Sequence, residues 1–334
     1  MSGEGGRRWA VLLAGAVILV AAGAVGIALV SDGAGGGDGD ATTEAGTTST
    51  PEPRPAPTRL RVRRIPVGGR PESIAVGGEF VWVADSVRGT VRRIHPEGDR
   101  PIPVAAAGFP TDVVADAGGA WVALPDRGAV QRLSTDAPPS PPVETSGFPF
   151  RLALGEDGLW AMSQKALERL DPATGEADGE PLPLRGGANA IAVGEGWVWV
   201  ALRGREIAML DPGTGIERLE PVPRLPGALD LATGEGAAWA PVALPGQETV
   251  VRIDPESGDA RFSSFGLRGV LDVAAGLGYL WVTTPQGLFR LDPERLKPVG
   301  KPTPVGRRPG AIAVGSESVW VAAAGDGAVY RITP

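Results

Sequence analysis

The chain has 334 residues, no cysteine and a formal net charge of −7. These values exclude disulfides, thiolate metal centres and cysteine nucleophiles, and they argue against a broad electrostatic attraction to nucleic acid. Glycine (50) and proline (33) are abundant, which in a periodic chain signals many tight turns.

The first predicted element is residues 9–30, WAVLLAGAVILVAAGAVGIALV, 22 residues without a charge. About 20 apolar residues cross a bilayer as a helix. Arg7 and Arg8 precede this stretch, and the next basic residue is Arg54. The positive-inside rule therefore predicts residues 1–8 in the cytoplasm and everything after Val30 outside, as a single-pass protein of the cell membrane. A cleaved signal peptide normally has an apolar core of only about 7–15 residues, so the reading is an uncleaved transmembrane anchor. Residues 31–58 are rich in Gly, Asp, Thr and Ser and then read PEPRPAP. They carry no apolar periodicity and are expected to form a flexible, disordered linker.

Residues 59–334 repeat. Trp82, Trp121, Trp160, Trp199, Trp239, Trp281 and Trp320 follow one another at steps of 39, 39, 39, 40, 42 and 39. A period near 40 marks an array of small sheets. Around each Trp the same runs recur: SIAVG, VWVAD and TVRRIHP in the first unit, AIAVG, WVWVAL and EIAMLDPGTG in the fourth. Each is short, rich in Val, Ile, Leu and Trp, and bounded by turn residues, which is the strand pattern. The first two runs are apolar at nearly every position and should be buried on both faces. The third alternates and should lie nearer solvent. Pro66, Pro183, Pro223 and Pro304 each stand 16 residues before the next Trp, and proline belongs on an edge strand. Each unit is thus expected to be one four-stranded blade, running from buried centre to exposed edge.

The last unit ends at IleThrPro without an outer strand, whereas LRVRRIPV at 60–67 is a spare outer strand in front of the first. The N-terminal strand should complete the last blade and remove two open edges. The fold class is all-β, a seven-bladed β-propeller of four-stranded blades closed by its N-terminal strand.

The unit reads roughly PVGxxPxxIAVGxxxVWVAxxxxGxVxRIDPxTG. It resembles the repeat of the YncE-like and virginiamycin B lyase-like propeller superfamily. The resemblance covers residues 59–334 and implies the propeller fold; members of that superfamily include anchored or secreted binding proteins and a few enzymes. The antibiotic-lyase branch implies an active-site histidine and metal-assisted elimination. Here the sole histidine, His95, replaces the Asp of an IleAspPro turn, where a rim position is expected. The tryptophan docking pattern of quinoprotein dehydrogenases is not matched.

The AspPro turns at 171–175, 211–215 and 254–258 read as backbone turns rather than calcium loops, with only one or two acidic residues apiece. Candidate site residues fall on the face where strand one begins. Nine before each Trp stand Ser73, Asp112, Arg151, Ala190, Asp230, Asp272 and Ala311, with Asn189 adjacent. Asp112, Asp230, Asp272, Asn189 and Arg151 are expected around a wet channel mouth able to hold a divalent cation or small polar ligand. Phe109, Phe148 and Phe150 precede blades two and three and are expected to form an aromatic recognition patch on that face. No nucleophile motif, phosphate loop or metal-ligand spacing appears.

The function expected from these features is a membrane-anchored extracytoplasmic module that binds a small polar ligand or another envelope protein, as scaffold rather than enzyme. The alternative is a metal-assisted lyase or lactonase using the channel carboxylates. A purely structural envelope protein is the third reading.

Overall fold

The computed structural model describes residues 59–334 except 99, 157, 185, 204–205, 216–224, 226–227 and 245. The cytoplasmic segment, transmembrane helix and linker expected for residues 1–58 lie outside the described residues. No helix among the described residues is long and apolar enough to cross a membrane.

Seven antiparallel sheets form the blades of a β-propeller. Blade one has strands Ser73–Gly77, Phe80–Asp85, Thr90–Ile94 and Ile102–Ala105, from axis to rim. The inner strands of blades two to four are Asp112–Asp116, Arg151–Gly155 and Ala188–Gly194. Those of blades five to seven are Ala232–Gly234, Asp272–Gly276 and Pro309–Val314. Blade four shows three strands; its expected outer strand and Pro223 fall on residues outside those described.

Each repeating tryptophan lies in the second strand of its blade, and every one is at most 2% exposed. Its cross-strand partner on the inner strand is small. Trp82 faces Ala75, Trp160 Ala153, Trp199 Ala192, Trp239 Ala232, Trp281 Ala274 and Trp320 Ala313; only Trp121 faces a larger residue, Val114. A large side chain beside a small one leaves room for the adjacent sheet to interdigitate. The core accordingly lies between blades. Trp82 and Ala84 of blade one, for example, pack with Val113, Val122 and Leu133 of blade two.

The ring closes through the N-terminal strand. Arg61–Pro66 pairs antiparallel with Ala328–Thr333, in register from Arg61 opposite Thr333 to Pro66 opposite Ala328. Five of its six residues are exposed, and Ile65 is 1% exposed, packed with Val305, Val329 and Ile332. Outer strands elsewhere are short, and Pro183 sits in one of two residues, Leu182–Pro183. Pro304 falls beyond the outer strand Lys297–Pro298.

The third strands alternate buried and half-buried positions and lie nearer solvent than the second strands, as expected. Arg93, Arg132, Arg169, Arg252, Arg290 and Arg331 each stand directly across from the tryptophan of their blade. Their aliphatic stems cover apolar surface while the charged ends reach outward. The Arg132 and Arg331 guanidinium carbons lie 5.6 and 5.4 Å from the rings of Trp121 and Trp320.

Candidate functional site

Strand direction divides the loops. The connections from outer to next inner strand, and from second to third strand, open on what is here termed the upper face. There Val67 N–H donates to Gly327 O at 2.9 Å, joining one loop of each kind. The remaining turns, including the AspPro turns, open on the lower face.

Inner strands are sheet edges, so their axis-facing N–H groups need partners from outside the sheet. The acidic residues at the upper end of these strands provide them. Asp112 Oδ2 accepts Leu152 N–H of blade three at 2.9 Å, and its Oδ1 accepts the Ser73 hydroxyl of blade one at 2.8 Å and its own neighbour Val113 N–H at 3.0 Å. Asp272 Oδ2 accepts Ile312 N–H of blade seven at 2.7 Å. Asp230 Oδ2 accepts Val273 N–H of blade six at 3.4 Å. Asn189 continues the pattern, its Nδ2 donating to Ala228 O at 3.1 Å and its Oδ1 accepting from Arg203 Nε at 3.3 Å.

This corrects the expectation of a wet channel mouth. Asp112, Asp230 and Asp272 are 0, 1 and 0% exposed, and Arg151 is 7% exposed. The carboxylates are spent on stitching blade to blade. Among the described residues, no group of three His, Cys, Asp or Glu side chains is placed to hold a metal ion.

Burial dominates the electrostatics of this ring. It pushes Asp112 up to about 6, against the opposing pull of the Arg151 charge and the bonds from Leu152, Ser73 and Val113. Asp272 is held well above the usual carboxylate range by burial, then by the charge of Asp230 and a hydrogen bond between the two. Asp230 is also raised by burial, but the bond from Asp272 and the charge of Arg151 oppose the rise. Of the two, Asp272 is the one more strongly biased towards its protonated form. Asp230 Oδ1 is buried without a hydrogen-bond partner among the described residues. Arg151 balances the remaining charge and stacks over Phe150, 5.8 Å from its ring.

The three expected phenylalanines divide. Phe109 and Phe148 are 51 and 71% exposed. Phe150 turns inward against the cluster of Ala188, Ile191 and Trp160. Beside Phe148 lies a shallow depression lined by Thr145, Ser146, Gly147, Pro149, Ser163 and Glu168 among others.

His95 follows the third strand of blade one on the lower face, edge-on to Phe80 at 5.6 Å, and its Nδ1 accepts Glu97 N–H at 3.2 Å. The AspPro turns behave as turns: Asp171, Asp211 and Asp254 each accept N–H groups two and three residues on.

A second set of inter-blade bonds went unread in the sequence. The arginines across from the tryptophans reach the lower turns of the following blade. Arg93 donates to Thr135 O, Arg169 to Gly213 O at 3.1 Å, and Arg331 to Pro96 O at 2.6 Å, the last joining blade seven to blade one. The recurring arginine before the IleAspPro turn was the available signal.

No protein-family model matches the chain, and no curated protein sequence does. Among solved structures, virginiamycin B lyase from Staphylococcus aureus superposes with a TM-score of 0.68 at 18% identity, over 83% of this chain and all (100%) of that one. The Neurospora crassa Pan2 WD40 domain gives 0.65 at 14%, over 79 and 89%. BamB from Moraxella catarrhalis gives 0.55 at 14%, over 78 and 82%. These likenesses establish the β-propeller fold, here with seven blades; at such identities they speak for the fold alone.

Proposed function

We propose that this protein is a membrane-anchored extracytoplasmic propeller that binds another envelope protein or a small polar ligand through its upper face, without catalysis of its own. The observation that carries this reading is the commitment of Asp112, Asp230 and Asp272 to backbone and carboxyl partners. Groups so engaged are poorly placed to move protons at a substrate, whereas a rigid ring with an exposed aromatic edge suits recognition. The anchor rests on the charge-free run at residues 9–30 behind Arg7 and Arg8.

Site-specific photo-cross-linking in intact cells tests it. A cross-linker at position 109 on the upper face should trap a partner, and one at position 256 on the lower face should not. Protease added to intact cells should digest residues 59–334. Protection of that region would overturn the topology. The lyase or lactonase alternative requires a divalent cation at the carboxylates. A melting-temperature rise with Mg²⁺, Ca²⁺ or Mn²⁺ that vanishes in the Asp230→Ala, Asp272→Ala double variant would favour it instead.

A further inference from the structure

The upper face is not uniform. Counting three residues back from the aligned positions Asp112 and Arg151 gives Phe109 and Phe148; the same count from Ala190 and Asp272 gives Gly187 and Gly269. Ser73 and Ala311 give Arg70 and Arg308, so aromatic side chains at this position are confined to one arc.

The turns between second and third strands interleave with these phenylalanines. A Cβ on Gly89, at the end of the blade-one turn, would stand 3.3 Å from the Phe109 ring. Phe109 N–H then donates to Asp126 Oδ1 in the blade-two turn at 3.1 Å. In that same turn a Cβ on Gly128 would stand 3.8 Å from the Phe148 ring. Gly147, preceding Phe148, abuts Ser163 at the start of the blade-three turn. The order along the rim is fixed: turn, Phe109, turn, Phe148, turn.

Each of those turns carries an exposed cation, Arg88, Arg127 and Lys165 in succession. None of the three has an ion-pair partner among the described residues. Of the acids of the arc, Asp126 is exposed and accepts the Phe109 N–H, whereas Asp85 and Glu168 are occupied inside it. Asp85 accepts the N–H groups of Arg70, Val87 and Arg88, and Glu168 accepts Ser146 N–H and hydroxyl. Asp85 and Glu168 are 2 and 5% exposed. In the adjoining loops Arg307 pairs with Asp326 at 2.9 Å and Arg70 with Glu72 at 3.4 Å, while Arg308 is exposed without an ion-pair partner among the described residues. On blades one to three the unpaired cations stand beside the exposed rings of Phe109 and Phe148.

Resting on the binding reading above, we propose that Arg88, Phe109, Arg127, Phe148 and Lys165 form one docking strip for an extended acidic segment of another protein, in which carboxylates alternate with apolar side chains. Aromatic rings contribute contact area at small entropic cost, and arginine matches carboxylate geometry with two parallel donors. Charge complementarity selects the occupant: a basic or purely polar segment leaves either the cations or the rings unanswered.

The test uses the full chain in lipid nanodiscs and fluorescence anisotropy with a labelled peptide of alternating aspartate and leucine. Peptides of alternating lysine and leucine, and of aspartate and serine, are the controls. The aspartate–leucine peptide should bind about tenfold more tightly than either control. Its binding should weaken by about tenfold in the Phe109→Ser, Phe148→Ser double variant and in Arg127→Glu. Arg127→Lys should retain most of it. All these side chains are exposed, so melting temperatures should stay at the parental value and report any misfolding separately. Equal affinity for the three peptides, or binding indifferent to the variants, overturns the strip. If cross-linking from position 256 stays silent while cross-linking from the upper face persists in the phenylalanine double variant, the binding reading stands and only the strip falls.

Discussion

Asp272 and Ile312 lie 40 residues apart, yet the carboxylate Oδ2 of the first accepts the backbone N–H of the second at 2.7 Å. The separation equals one repeat. Asp112 and Leu152 make the same bond over the same interval, at 2.9 Å. Blade-to-blade stitching at the axis is therefore written into single side chains.

Asp112 answers three donors, from Leu152, Val113 and Ser73. Each buried polar group left unsatisfied costs about 1–3 kcal/mol. Asp112→Ala should thus destabilise the chain by about 3 kcal/mol or more in urea unfolding, and Asp112→Asn by less, since the amide oxygen still accepts. A midpoint unchanged in Asp112→Ala would show that the axial bonds are dispensable.

The same carboxyls set a pH dependence. Asp112 rises in the folded state from 3.8 to about 6, and Asp272 also lies well above its ordinary range, both chiefly through burial. A folded state that holds its protons more tightly than the unfolded chain is favoured by acid. This contribution is fully present below about pH 4 and is lost as pH rises through 6. Asp326 works the other way. Its bonds from Arg307 and Tyr330 lower it to about 2, so its contribution is lost as pH falls from about 4. Melting temperature should therefore be higher at pH 5 than at pH 8, and should fall again below pH 4. In Asp112→Asn the rise between pH 8 and pH 5 should shrink. A flat profile over that range in the parent chain would contradict the assignment.

Closure gives a third expectation. A chain starting at Gly68 lacks the strand Arg61–Pro66 and exposes the edge of Ala328–Thr333. It should melt well below a chain starting at Thr58 and aggregate more readily. Ile65→Ala, which only trims the buried contact with Val329 and Ile332, should cost about 2–5 kcal/mol. Equal melting of the two truncations would mean that the ring does not depend on its N-terminal clasp.

Trp199 is fully buried and its Nε1 donates to Gly194 O at 3.0 Å. Trp199→Ala removes both packing and that bond, and should cost about 3–5 kcal/mol. Because Trp199 packs against blade five, on the side of its blade away from Phe109 and Phe148, peptide binding by the folded fraction should be unchanged.

Much of the fold was legible because the repeat reports it redundantly. Tryptophan spacing counts the blades, and the unpaired LRVRRIPV run foretells the clasp. The axial residues were legible as positions but not as environments. A one-dimensional pattern shows that Asp112, Asp230 and Asp272 converge; it does not show that the adjoining blade offers each an N–H at bonding distance. That depends on how closely the sheets pack around the axis. Phe150 was misread for a related reason. It sits two residues after Phe148, on a segment entering the strand Arg151–Gly155, and the chain turns it into the core. The arginines opposite the tryptophans were overlooked because hairpin turns of unequal length blur their spacing, at 11 residues from Trp82 to Arg93 but 13 from Trp239 to Arg252.

The direction of the clasp strand fixes which face of the propeller the chain enters from. Arg61 lies at the lower rim beside Thr333, and Pro66 ends at the upper face beside Ala328. Whatever precedes residue 59 is attached from below. Six residues of strand, at about 3.3 Å each, lift the upper loops about 20 Å above that attachment. Chain entering on this side joins the propeller on the face opposite Phe109 and Phe148. A bulky fusion before residue 59 should accordingly be silent in binding assays, while the same bulk inserted at Gly68 would stand in front of the partner.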